Sequence, residues 1–549
     1  MSEAEKRPSL WSLYSARFYV ALLLMACALV QSAMRTGLAL AMVCMVNRTA
    51  TRRSEVNGSD PMADSGEGSC SAIEKEVAAA NYEGEFVWTS KEQALIFSAM
   101  FVGGLFSTFV AGWMADRHGA KNPLLLSTML YVLGSAFTPV ASQTFGWQGL
   151  LIVRLFMGFG QGLFIPTIAS FMTRWFHTAE RSSVIAFYTL GNQISNIIGA
   201  PFAALLCRQR HFLGGWPSIF YTYAFCGFVW CVLWALIIRN NPTKSKVVRG
   251  QERQMLEAQM EEQCLKDRKT ATKAVPWFKI ASSKPVWACS IQSSAFSCGM
   301  VLTNFYIPTY YRDVLVLDLT RNGFYTAVPF MIMFASKMLL AWVADRLKKT
   351  GRFSHTTICK CFNSIGCAGQ VIGLVSVSFM DCHHPVLAMT CLCICLAGTG
   401  AFPSGFSTSQ VSIAPVYTGT IVSINKFFSQ FAAIATPYLV GFATNEGTRA
   451  EWQLVFFTVA AIVSIAGLAF LAFGAAEPES WALATSKESQ AVLGLPTASG
   501  VNLVAAVKVG SPQRSNFIDD IPEEEETDQQ KGQSDSGKDG RLATFELKG

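Results

Sequence analysis

Apolar residues in this chain do not alternate with polar ones; they run on. Windows of about 20 residues, almost free of charge, recur at 18–46, 94–114, 123–141, 147–172, 184–206, 218–238, 286–311, 322–343, 361–380, 385–410, 418–442 and 452–473. At about 1.5 Å per helical residue, each is long enough to cross the roughly 30 Å hydrocarbon core of a bilayer. The pattern predicts an all-α membrane protein of twelve transmembrane helices. The first window, preceded by polar residues 1–16, is too long for the core of a cleavable signal.

Between windows 6 and 7 lies the polar stretch 239–285, so the chain reads as two six-helix bundles, 18–238 and 286–473. A loop at 47–93 follows the first span, residues 1–17 form a short N-terminus, and 474–549 form a tail. The tail ends in an acidic, Gln- and Ser-rich run that composition marks as disordered. Within the linker, "RGQERQMLEAQMEEQCLKDRK" predicts a short helix.

Composition fits this picture: of 549 residues, 51% are hydrophobic and only 15% charged, which a soluble protein of this length would not tolerate. Positive charge is concentrated in alternate loops, at Arg117 and Lys121, Arg174 and Arg181, Arg346 to Arg352, and 239–284. The positive-inside rule puts those loops and both termini in the cytoplasm. The net charge of +7 comes from them and implies no nucleic acid. Most of the sixteen cysteines fall inside spans, where they act as small apolar residues. Cys70, Cys207 and Cys382 face the oxidising side, so one disulfide is allowed and none demanded. Asn47-Arg-Thr and Asn57-Gly-Ser are glycosylation sequons in the 47–93 loop; Asn47 lies too close to the membrane, which favours Asn57.

The two bundles echo one another. "GWMADRHGAK" closes span 2 and "AWVADRLKKT" closes span 8. Two related segments on one side of the membrane imply a parallel repeat about an axis along the membrane normal. Asp116, Arg117, Asp345 and Arg346 are then paired clusters that gate the cytoplasmic side.

Four charges lie inside spans, where each costs roughly 2.5–3.5 kcal/mol on insertion scales. Arg35 is about 25 Å from the cytoplasmic side, and Arg154 about 10 Å below the opposite end of span 4. Lys337 and Lys426 lie about 9–12 Å from the cytoplasmic surface, within reach of it by snorkelling. No carboxylate occupies the deep spans. Cations without partner acids suit an anion, and arginine can fork onto a carboxylate or phosphate. In span 5, Asn192 and Asn196 share a polar face, and Gln161 follows Arg154 by two turns on the same face. Gly158 and Gly162 are spaced for close helix packing.

"GWMADRHGAK" resembles the signature of the major facilitator superfamily, through Gly112, Asp116, Arg117, Gly119 and Lys121; the second copy retains Asp345 and Arg346 but neither glycine. Longer stretches resemble the anion transporter family that includes type I sodium–phosphate cotransporters, sialin and vesicular glutamate transporters: "SAMRTGLALAMVCMVN", "RWFHTAERSSV", "WPSIFYTYAFCGFVW", "IPTYYRDVL", "SGFSTSQVSIAPVYTG" and "EWQLVFFTVAA". The resemblance spans about residues 17 to 482 and implies the major facilitator fold, with Arg35 and Arg154 on the substrate carboxylate. Proton-coupled members have a glutamate where this chain has Gln161, and vesicular glutamate carriers a histidine and an arginine at what correspond to Phe97 and Phe296. Those departures argue against proton coupling through that site and against glutamate.

The expected function is therefore alternating-access transport of phosphate-, urate- or carboxylate-type anions, driven by membrane potential or sodium. The alternatives are a proton-coupled lysosomal or vesicular exporter of acidic sugars or amino acids, or a non-transporting sensor that keeps the fold. The expected partners are a small anion and the lipid bilayer, with no nucleic acid, cofactor or metal beyond a coupling Na+ or H+, and the chain is expected to be a monomer. The membrane would be plasma, vesicular or lysosomal. With no nucleophile–base pair, metal cluster or phosphate loop, enzyme activity is not expected.

Overall fold

A computed structural model describes residues 12, 15–47, 84–176, 180–209, 214–240, 248, 252–254, 256–257, 276–414, 417–479 and 481–482. All of them belong to one compact unit, residues 1–489. Most of the tail, Asn57, Cys70 and most of the linker lie outside the described residues. So do the side chains of Asp116 and Arg117.

The described residues are almost all helical. The first half contains α1 (Ala16–Met45), α2 (Ser90–His118), α3 and α4, α5 (Arg181–Arg208) and α6 (Pro217–Ile237). Helices α3 and α4 are the two limbs of Lys121–Trp175, which break at Gly146, where φ is 60° and ψ −144°. The second half contains α7 (Lys284–Val301), α8 (Leu319–Thr350), α9 (His355–Ser378), α10 (Pro385–Thr399), α11 (Thr418–Ala443) and α12 (Arg449–Phe473). Helix α7 continues through a π-helical turn, Leu302–Tyr306, into Ile307–Asp313, and α10 through another, Pro403–Ser407, into Thr408–Ser412. The short helix Trp277–Ser282 precedes α7.

Local chemistry explains several ends. Thr89 and Glu92 form a reciprocal capping box at the start of α2, as Thr448 and Glu451 do for α12. Gly351 ends α8 in the left-handed conformation. Gly119 of the first Ala-Asp-Arg motif turns the chain at φ 78°, and a Cβ there would sit 2.6 Å from Asn240. The next turn is tied to the end of α6, because Lys121 Nζ donates to the Ala235 carbonyl at 2.7 Å. A Cβ on Gly158 or Gly162 would collide with the α2 backbone, so these glycines set the close α2–α4 approach.

Eight described helices are long and apolar enough to cross a membrane, with Lys121–Trp175 counted once although it holds two spans. Helices α2, α7 and α11 fall short of that mark. The last two carry serine, asparagine, glutamine and lysine that line a central cavity.

Two features depart from the sequence reading. Cys44, assigned to the interior of span 1, sits in its last turn and forms a disulfide with Cys207 at the end of α5. Cys382 is disulfide-bonded as well, so the chain has more than the one bridge that the sequence reading allowed and did not demand. Arg17, placed in the polar N-terminal segment, is fully buried. Its guanidinium pairs with Glu252 at 2.7 Å and with Glu180. Glu252 also accepts from Ser15 Oγ at 2.8 Å and from the Ala16 N–H at 3.1 Å. One linker carboxylate thus caps α1 and neutralises its first arginine.

Candidate functional site

The bundle has two distinguishable ends. The basic end carries Arg174, Arg181, Arg346 and Arg352; the opposite end carries the Cys44–Cys207 disulfide.

At the disulfide end the two halves are sealed together. Asn196 Nδ2 on α5 donates to Asn304 Oδ1 in the π turn of α7 at 3.1 Å, and Thr36 on α1 donates to Asn196 Oδ1 at 3.4 Å. Phe97 packs against Phe305 and, edge to face, against Tyr306 with ring centres 5.5 and 5.2 Å apart, and Phe101 meets Phe305 at 5.8 Å. Gln430 on α11 donates to the Phe101 carbonyl at 2.9 Å. Gly441 lies where a Cβ would press on Ala94.

Below this seal are two adjoining cavities of about 380 and 370 Å³, both lined by Arg35, Gln161, Lys426 and Gln430. The first also takes in Asn192, Tyr131, Pro166, Ala169 and Gly419. Ala169 and Gly419 stand within about two turns of the basic end of α4 and α11, so this cavity reaches towards that end. The second takes in Ser293, Phe296, Asn304, Phe406 and Gln410 from the C-terminal half. Neither lining contains an aspartate or glutamate.

Arg154 lies behind Arg35, 2% exposed. One of its terminal nitrogens donates to the Arg35 carbonyl at 3.4 Å and lies 3.8 Å from the Met100 sulfur. Its Nε and other terminal nitrogen have no hydrogen-bond partner, nor does Gln161 Oε1 two turns further along α4. Arg35 is half-buried and reaches Ser32 Oγ at 3.5 Å. A buried guanidinium with idle donors is costly, and an anion would satisfy it.

Arg35, Gln161 and Lys426 thus line both cavities and Asn192 the first, whereas Arg154 lies behind Arg35 and belongs to neither lining. Asn196 stands apart, in the seal rather than the cavity wall. Lys337 is half-buried on α8 and belongs to neither lining. Asp345 and Arg346 are exposed: Asp345 is 3.9 Å from Lys348 of its own helix, and Arg346 lies over Trp342. Asn47 ends the first described segment, its N–H bonded to the Phe86 carbonyl at 2.8 Å directly beyond α1. Sequence reasoning did not single out Gln430, Gln410, Asn304 or the Phe97–Phe305 contact. Uncharged amides and aromatics cost too little in a span to stand out singly.

The sequence matches the family model of the Major Facilitator Superfamily over residues 24–437. It is 31% identical to the uncharacterized transporter slc-17.3 of Caenorhabditis elegans, over 87% of this chain and 91% of that one. It is 29% identical to the sodium-dependent phosphate transport protein 1, chloroplastic, of Arabidopsis thaliana, over 70% and 72% respectively. The fold is similar to the crystal structure of a bacterial homolog of the human lysosomal transporter Spinster in an inward-facing, occupied conformation. That match has a TM-score of 0.60 and 13% identity, over 83% of this chain and 96% of the other.

Proposed function

Because the chain belongs to the Major Facilitator Superfamily, we propose that this multi-pass membrane protein carries anions across the bilayer by alternating access, with the central cavity as the binding site. The observation that carries this reading is the arginine pair: Arg35 in the wall of a cavity without carboxylates, and Arg154 buried behind it with idle donors. A phosphate-transporting relative supports the same charge class.

In this reading the basic end faces the cytoplasm, as positive-inside asymmetry favours. The sealed disulfide end and the cavity reaching the basic end then correspond to a cytoplasm-facing state. Asp345 pairs within its own helix, as a gate residue does when its gate is released. Rocking of the halves would close that side with Asp116, Arg117, Asp345 and Arg346, and break Asn196–Asn304 and the aromatic contacts on the other. With Gln161 unable to titrate, the driving force is membrane potential or sodium. A potential of 100 mV supplies about 2.3 kcal/mol per charge, or roughly 50-fold accumulation.

The test is uptake into proteoliposomes of labelled phosphate, urate, glutamate and sialate, with potential, sodium gradient and pH gradient imposed one at a time. Uptake of an anion driven by potential or sodium and lost in Arg154→Ala is the expected result. Uptake that runs only on a proton gradient would overturn the coupling assignment, and absence of flux for every anion would overturn transport.

A further inference from the structure

The C-terminal half contributes one charge to the site, and it stands on the cavity side of its helix. Gly419, Val422, Ser423, Lys426 and Gln430 recur at helical spacing along α11, and all line the cavity. Phe427 and Phe431 meet edge to face with ring centres 4.9 Å apart, exposed on the other side. Asn425 points into the C-terminal core, where its Oδ1 accepts from Ser290 Oγ on α7. Lys426 therefore does not turn outward to lipid headgroups. It is exposed within the molecule, in both cavities, which the half-buried Arg35 also lines.

Arg35 and Lys426 belong to different halves, and no acid lines the space they share. Their charges repel, and neither has a carboxylate counter-ion among the described residues. A monovalent anion on the arginines would leave the lysine uncompensated. A second negative charge removes the repulsion and gives Lys426 a charge-assisted hydrogen bond. The two groups are also divided as a two-point reader requires. Planar arginines suit a flat or tetrahedral oxyanion, and a flexible lysine suits a charge whose position varies between ligands.

We propose that Lys426 is a second anion anchor opposite Arg35 and Arg154, and that the preferred cargo is a doubly negative anion held between the two halves. The proposal rests on the transport reading above and specifies its substrate class. Because the anion then bridges α1 and α11, binding it also draws the halves together.

Two readouts on the purified full-length chain test it: anion-dependent shift of thermal unfolding, and proteoliposome uptake. The probes are succinate against propionate for dicarboxylates, and inorganic phosphate at pH 8 for a compact dianion. Wild type should favour succinate or phosphate over propionate. Lys426→Gln should lower apparent affinity for the dianion about 10- to 100-fold, the scale of one charge-assisted hydrogen bond. It should change propionate by less than about 3-fold. Lys426→Arg should restore the preference, which also controls for folding. The response of succinate against phosphate tells a dicarboxylate from an inorganic cargo.

An unchanged dianion-to-monoanion ratio in Lys426→Gln would overturn the proposal, as would equal loss for all three probes. Absence of flux in wild type would instead overturn transport, while the unfolding shifts would still report on Lys426.

Discussion

The two halves share a fold and a motif yet are held together differently. The N-terminal half is tied by charge and covalent bond across long sequence distances: Arg17 to Glu180 and Glu252, and Cys44 to Cys207. Close glycine contacts occur in both halves, at Gly158 and Gly162 between α2 and α4 and at Gly373 and Gly398 between α9 and α10. The C-terminal half also carries a disulfide-bonded cysteine, Cys382, but between its described helices the links are neutral amides and hydroxyls, such as Asn363 with Gln292 and Tyr310 with the Val377 carbonyl. Its described ion pairs join residues within four positions of each other. It also contains both π turns, which loosen a helix locally where it lines the cavity. The difference teaches a division of labour. One half is a stiff holder that fixes two guanidinium groups, and the other is a compliant partner that closes onto what they bind.

Breaking the stiff half should produce the largest effect. Arg17→Ala leaves Glu252 buried and uncompensated, for which about 3–5 kcal/mol is the usual loss. A thermal-unfolding midpoint well below wild type in detergent would be the sign, with no such drop in an exposed control such as Arg253→Ala. Next, Cys44→Ser/Cys207→Ser removes a cross-link over 163 residues and should cost about 2–4 kcal/mol. Unfolding with and without reductant should separate wild type from the double variant only in its absence.

A smaller effect falls on binding. Arg154→Ala should reduce anion affinity about 10- to 100-fold, and Arg154→Lys should recover only part of it because an ammonium cannot fork; titration of the unfolding shift with anion measures both. The smallest change sharpens the comparison at the seam. Asn196→Ala removes one hydrogen bond between halves, worth about 0.5–1.5 kcal/mol. It should raise accessibility from the disulfide end, read as faster labelling of a cysteine placed at Thr36, with binding affinity nearly unchanged.

How much of this was legible in the sequence followed from cost. Arg35 and Arg154 stood out because a charge in an apolar run needs a reason; Arg35 lines both cavities and Arg154 is buried behind it. Lys426 was visible, but its role was not: a position about 12 Å from a surface fits snorkelling and cavity lining equally, and only the packing of α11 separates them. Cys44 was hidden because an apolar neighbourhood is the same for a packed cysteine and a bonded one. Arg17 was hidden because its partners are 163 and 235 residues away, and periodicity carries no information over that distance. The break at Gly146 was anticipated as a gap between windows, whereas the π turns, one residue out of register in otherwise apolar helices, left no mark.

The Cys44–Cys207 bond also sets a schedule for biosynthesis. Its partners are 163 residues apart, so at about 5–20 residues per second the first thiol waits roughly 8–33 s for the second to be made. During that interval four further helices, α2 to α5, must enter the membrane, and α1 stays untied from them. A nascent chain arrested before residue 207 therefore carries a free Cys44, and one arrested well beyond it does not. The bond records, in a form that gel mobility can read, that the first five helices have assembled in order.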